Sequence, residues 1–404
     1  VLDGPGYEQK ISDYNDILLT DNPDAEPITL TTTELENKQN GNTTDWMDEV
    51  LRTAQITNYH LDVSGATKST NYYISGTYFN QEGIVLNDKF ERLTLNLNVT
   101  NQLTDWLSLG IRSTFSDSDL SGVPAGTNSP LDLSGVTVGP NGLNETTNLD
   151  YAPRQSPYGN FFDEFGPGGY AFFPIGDPLG IHPLLTTLVD DENKRSSLRG
   201  VFSLKIDFPF LEGLRLTSNY GANIRENRQN RFINNRLSTQ AETQNGIAYR
   251  NYTRNFDWTF DNILNYIRIY NERHSVDLTF LLSRESRNLD QTFARANDFV
   301  SQDLGFNALN LGAVQLSSSN REAQNSLSQL GRINYGLDDK YSFTYTVRRD
   351  GFSAFAENNK YAVFQAGAFA WTISNENFME DSRWLEYLML RISAGEYGMQ
   401  AIDR

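Results

Sequence analysis

Catalysis needs nucleophiles, titratable groups or metal ligands held close together, and this sequence places few of them within reach of one another. There is no cysteine, and the three histidines, His60, His182 and His274, are dispersed. A disulfide framework and a thiolate metal site are therefore excluded. No GxSxG, HExxH, phosphate-binding GxxxxGK or dinucleotide-binding GxGxxG occurs. A Ser/His/Asp site can be assembled from scattered residues, but no pattern points to one, so the expectation is a non-enzyme without a cofactor. The run DSDLSG at 117–122 sets Asp117, Asp119, Ser121 and Gly122 where an EF-hand calcium loop sets its first ligands and its turn glycine. Its twelfth position is Asn128 rather than the bidentate Glu such a loop needs, so calcium is a weak candidate and a solvated turn at a strand end the plainer reading.

Binding residues are easier to find. Segment 118–196 holds nine of the thirteen prolines, a GPGGY run at 166–170, and the aromatics Tyr151, Tyr158, Phe161, Phe162, Phe165, Tyr170, Phe172 and Phe173. Ring faces stack on sugars and line peptide grooves, which makes these eight the candidate ligand- or partner-binding set, with 158–173 as contact surface. Proline restricts the backbone beforehand and argues for a shaped loop. The competing role is packing, since a long ordered loop must bury something.

The elements that carry these residues show themselves by strict alternation. Leu93, Leu95, Leu97 and Val99 alternate with Thr94, Asn96, Asn98 and Thr100. Farther on, Leu198, Phe202, Leu204, Ile206 and Phe208 are set against Arg199, Ser203, Lys205 and Asp207, and Leu214, Leu216, Tyr220 and Ile224 against Arg215, Thr217, Asn219 and Arg225. Period two means strands with opposite faces in opposite solvents. About twelve such stretches are expected: 55–66, 70–80, 89–100, 106–117, 197–208, 214–226, 252–269, 274–285, 325–337, 341–351, 362–373 and 387–397. Most reach the roughly 9–11 residues that cross a bilayer at a tilt. Turns at 67–69, 104–105, 211–213, 271–273 and 338–340 join the strands in pairs, and longer links at 81–88, 118–196, 227–251, 286–324 and 352–361 separate the pairs. Such segregation of loop lengths suits a membrane barrel and has no counterpart in a sandwich. The link 374–386 should be short and is not.

Composition agrees. Only 38% of the 404 residues are hydrophobic, and mean hydropathy is -0.51. No run approaches the roughly 18 apolar residues of a spanning helix. The 24 Phe, 20 Tyr and 5 Trp among many Asn, Thr and Ser suit strands with one wet and one apolar face. A net charge of -18 argues against nucleic-acid partners. The fold class is thus all-β, a transmembrane antiparallel barrel with long extracellular loops, in which Arg112, Arg199, Arg215, Arg332, Arg348 and Arg391 point into the lumen. The rivals are a surface adhesin or soluble β-rich binding protein, and an outer-membrane enzyme on a smaller barrel. Residues 1–54 are polar and without alternation, apart from a short helical turn expected in TDWMDEVLR at 44–52, and a second short helix is expected within 374–384. The chain begins at Val1 with no basic, apolar leader, as a processed or internal segment would.

Four stretches together resemble the SusC/RagA family of TonB-linked outer-membrane transporters of Bacteroidetes. They are NTTDWMDEVLRTAQITNYHLDVSGATKSTNYYISGTYFNQEGIV at 42–85, SQLGRINYGLDDKYSFTYTVRRDGFSAF at 328–355, FAWTISNENFM at 369–379 and LMLRISAGEYGMQ at 388–400. Two motifs depart from the family pattern: RRDGFSAFA at 348–356 stands for RRDGSSRFG, and GMQ at 398–400 for GNQ. The resemblance implies a 22-stranded barrel with about twelve strands present, a post-plug segment and first extracellular region over 1–54, and a partial barrel over 55–404. It further implies bacterial outer-membrane lipid around the wall, a glycan or peptide substrate, and a SusD-like lipoprotein as partner. TonB would act through a plug or TonB box missing from this chain.

Overall fold

The computed structural model describes residues 2–122, 151–177, 180–237, 239–379 and 385–398. Twelve strands form one antiparallel sheet in strict chain order, each bonded to its neighbours in sequence. They are β1 (Ile56–Ala66), β2 (Thr70–Glu82), β3 (Lys89–Thr104), β4 (Leu107–Asp119), β5 (Asp190–Asp207), β6 (Leu214–Ile233), β7 (Ile247–Tyr270), β8 (His274–Phe299), β9 (Gly312–Leu337), β10 (Tyr341–Phe352), β11 (Tyr361–Thr372) and β12 (Met389–Gly395). The count and order match the sequence expectation, and no second sheet packs across this one among the described residues. Among those residues, too, no helix is long and apolar enough to cross a membrane.

Turn chemistry explains the short end. Between β7 and β8 the Arg273 N–H donates to the Tyr270 carbonyl at 3.1 Å, and the central residues Asn271 and Glu272 both have positive φ. The same geometry joins β9 to β10 through Asp338 and Asp339. Both are mirror-image turns whose twist suits right-handed strands. Arg273 clasps Asp338 through two bonds of 2.6 and 2.8 Å, tying one turn to the next. The long link after β11 is at this end because it folds back under the sheet. There Glu376 accepts from Lys340 (3.1 Å), Tyr341 (2.6 Å) and Trp371 (3.1 Å), and Asn375 donates to the Asp339 carbonyl. In place of a regular helix this link carries 3-10 turns at Ile373–Asn375 and Asn377–Met379.

At the opposite end two expected loops are in part strand. Residues 227–251 and 286–324 read as links, yet β6 runs to Ile233, β8 to Phe299 and β9 starts at Gly312. The cause is solvent. Alternation marks a strand only where its faces meet different media, and these extensions rise beyond the apolar band into water or against packed loops.

Within about eleven residues of the short turns the sheet is sharply two-faced. Register places Leu61, Gly76 and Leu95 side by side, as it does Ile111, Phe202, Tyr220 and Phe260. Leu61, Val63, Leu95, Phe202, Phe280 and Phe343 are exposed, as lipid-facing side chains must be. Asn96, Lys205 and Asp207 lie on the other face, by alternation from Leu95, Leu204 and Ile206. All six arginines named above also fall on that face, where Arg215 bonds Asp207 at 2.5 Å and Arg348 bonds Asp350 at 2.7 Å.

Candidate functional site

Two structures meet at the long-loop end. The first is a cap. Because β1 enters the sheet from this end, with Ile56 opposite Gln81, the residues before it lie here as well. They form α1 (Gly4–Asp21), α2 (Thr32–Asn40) and α3 (Trp46–Val50). Asp3 caps α1 by accepting from Gly6, Thr31 and Glu34 form a capping box on α2, and Asp45 caps α3. Only α3 was anticipated in sequence. Glu34 also receives the Tyr7 hydroxyl at 3.2 Å, which joins α1 to α2.

The cap closes around Trp46. Its ring is fully buried, its Nε1–H donates to the Ser156 carbonyl at 2.8 Å, and Val50, Ala152 and Leu184 complete the cluster. His182 sits in an aromatic box, stacked on Tyr170 and edge-on to Trp46 and Phe161, all at 4.9 Å between ring centres. Its Nδ1 accepts from the Leu184 N–H at 3.1 Å. Burial pulls His182 down to about 4, against the Phe161 backbone, so the ring is neutral at ordinary pH. Tyr158 donates to Glu8 at 2.6 Å, and that carboxylate pushes the phenol up to about 12. A second cluster, built on Ile181, Leu185, Ile233, Leu237 and Ile247, fixes the loop to the inner face of β6 and β7.

This packing divides the eight candidate aromatics. Tyr158 is buried, Phe161 and Tyr170 pack on the Trp46 cluster, and Tyr151, Tyr170, Phe172 and Phe173 pack on the Ile181 cluster. Only Phe162 and Phe165 stand out, at 74% and 80% exposure. Of the eight rings, those two alone are exposed enough to meet a ligand or partner directly. Of the calcium candidate, Asp117 accepts from Ser196 at 2.5 Å and Asp119 from the Ser121 N–H at 2.8 Å, and both carboxylates are on β4. Asn128 lies outside the described residues, among which no group of three His, Cys, Asp or Glu could hold a metal ion.

The second structure is a recess of about 660 Å³ in the inner wall, and sequence reading missed it. Arg225, Asp257, Glu285, Arg287, Gln324 and Ser326 line it, with Phe352 at its edge. Register brings Asp257, Arg287 and Gln324 into one row, and Arg225, Asn255 and Leu289 into the next. Arg225 bonds Asp257 at 3.0 Å and Arg287 bonds Glu285 at 2.5 Å. With Glu322 also in the lining, two arginines and three carboxylates stand among amides and a hydroxyl, so donors and acceptors are presented together with one negative charge in excess, which suits zwitterionic or polyhydroxylated solutes. The signal available in sequence was Glu285-x-Arg287, an acid and a base two residues apart and hence on one strand face.

No family model matches the chain. It is 31% identical to TonB-dependent receptor P3 of Formosa agariphila over 89% of its own length and 34% of the relative's. It is 26% identical to TonB-dependent receptor SusC of Bacteroides thetaiotaomicron, again over 89% of this chain and 35% of that one. Among solved structures the RagAB peptide transporter superposes with a TM-score of 0.63 at 22% identity, covering 87% of this chain and 38% of that one. The chain belongs to the SusC/RagA-type TonB-dependent receptors. It spans about a third of the length of the curated relatives it matches. The exposed apolar band is therefore outer-membrane wall, and the twelve strands are compatible with the larger barrel the resemblance implies. The relatives are receptors and transporters rather than enzymes.

Proposed function

We propose that this chain supplies wall and extracellular cap to a TonB-dependent active transporter that imports glycans or peptides. In this reading a SusD-like lipoprotein covers the loops, and TonB acts through a plug or TonB box outside the chain. Residues 1–54 lead from the plug into the first extracellular region. The observation that carries the reading is the placement of a charge-paired recess on the inner wall of β6 to β9, at the end where the ordered cap projects. A solute that has passed the cap meets polar, reversible contacts rather than reactive groups. Phe162 and Phe165 are the cap's apolar contact for ligand or lipoprotein.

The test is Phe162→Ser with Phe165→Ser in the complete receptor. Membrane insertion and unfolding should change by less than about 0.5 kcal/mol, as for other exposed positions. Uptake or lipoprotein association should fall by roughly tenfold, the usual effect of losing an interface aromatic. Unchanged uptake together with unchanged association would remove the binding role of this loop.

A further inference from the structure

The inward arginines of the recess and of β10 have carboxylate partners, as Arg225, Arg287 and Arg348 show. Two outward ones differ. Arg284 shares its face with Phe260, its register partner on β7, and lies over the Trp258 ring at 5.7 Å. Arg349 lies over the Tyr361 ring at 4.1 Å, and that ring covers Gly351, where a Cβ would meet it at 2.4 Å. Neither arginine joins an ion pair among the described residues. Counted from the short turns, both stand at the upper limit of the apolar band: β8 begins at His274 and β10 at Tyr341. A guanidinium on a lipid face is tolerated only where it can reach the interface, and an aromatic ring beneath it holds the side chain in that direction.

We propose that Arg284 and Arg349 together bind the phosphate headgroup of an outer-leaflet lipid. They stand two strands apart and one step out of register, with Leu327 and Gln329 of β9 between them. That spacing is about 12 Å between backbones; the rings of Trp258 and Tyr361 lie on the outer strands β7 and β11, so the two side chains must swing off them toward β9 to meet on one headgroup. Nearby outward positions are uncharged, namely Ser286, Leu327, Gln329 and Val363. The first outward carboxylate along β8 is Asp290, roughly 20 Å beyond Arg284. Glu357 in the loop above forms no ion pair with either arginine among the described residues. The apolar face below, with Leu278, Phe280 and Phe343, accepts the acyl chains of the same lipid. Planar, weakly hydrated guanidinium groups suit phosphate oxygens, and each basic group near an anionic surface adds to retention.

The experiment uses the complete receptor in phosphatidylethanolamine bicelles doped with monophosphoryl lipid A, re-extracted in mild detergent, with bound lipid counted by native mass spectrometry. The wild type should retain lipid A, and the Arg284→Gln, Arg349→Gln double variant should retain roughly tenfold less or lower still. The Arg284→Lys, Arg349→Lys variant should keep most of it, because charge and reach survive. Should the double Gln variant fail to insert, each single Gln variant carries the test and should lose part of the lipid. Equal retention by wild type and Gln variants would overturn the proposal. So would displacement of the lipid by excess inorganic phosphate, which would mark a free-anion site instead.

Discussion

The wall and the cap use the same apolar residue types to opposite ends. In the wall Leu61 is 75% exposed and its neighbours across β1 to β3 are open as well, whereas in the cap Trp46 and Leu185 are fully buried. The cap is an ordinary water-soluble core built from segments more than a hundred residues apart, and the wall has no dry core of its own. Its partner is the hydrocarbon of the bilayer. Stability in the two regions should therefore respond to different mutations and different solvents.

Trp46→Ala should have the largest effect and should separate the regions. Losing a fully buried Trp costs about 3–5 kcal/mol, and here it also removes one of the two donors to the Ser156 carbonyl, leaving the Gly159 N–H. Limited proteolysis should then cut 1–54 and 151–189 while the strands stay protected. Loss of membrane insertion in this variant would show that cap and wall are one cooperative unit.

The wall answers to depth and face. Leu95→Arg places a charge on the lipid side and should cost about 2–4 kcal/mol by unfolding in lipid, whereas Asn96→Asp, one residue along, should cost much less. Equal costs at the two positions would contradict the assignment of faces.

The third contrast is in pH. The ring of His182 titrates near 4 when folded and near 6.5 when unfolded, so the unfolded cap binds the extra proton. Cap stability should be intact above about pH 6.5 and fall as pH drops toward 4, by up to ~3 kcal/mol. His182→Gln should flatten that dependence, read by cap proteolysis across the same range. Lipid-facing side chains such as Leu61, Leu95 and Phe202 carry no titratable group and should not follow it.

How much of this was legible depended on where contrast between solvents exists. Strands were readable wherever one face meets lipid and the other water, as from Leu93 to Thr100. The upper half of β9, AVQLSSSNREAQNS, is polar on both faces and reads as loop although it is paired throughout. For the aromatic loop, composition identified the region but could not say which rings are free. That depends on Trp46 and Glu8 arriving from the other side of four strands. His182 looked like an isolated histidine for the same reason. Its box is assembled from Trp46, Phe161 and Tyr170, and no local spacing announces it.

Strict nearest-neighbour order in the sheet also bears on how the molecule is assembled. Most hairpins close over a handful of residues, so each new strand finds its template already beside it and the conformational search is short. The longest closure is the junction of β4 with β5, where residues 120–189 must be looped out before Asp119 can meet Lys194. By the logarithmic growth of loop entropy that closure costs roughly 3 kcal/mol more than a three-residue turn. The clusters around Trp46 and Ile181 join residues 151–152 to 181–185 and so tie off part of this loop, and a cap that forms early would shorten the closure at the slowest step. The region that faces the outside world would then also set the pace at which the wall is zipped.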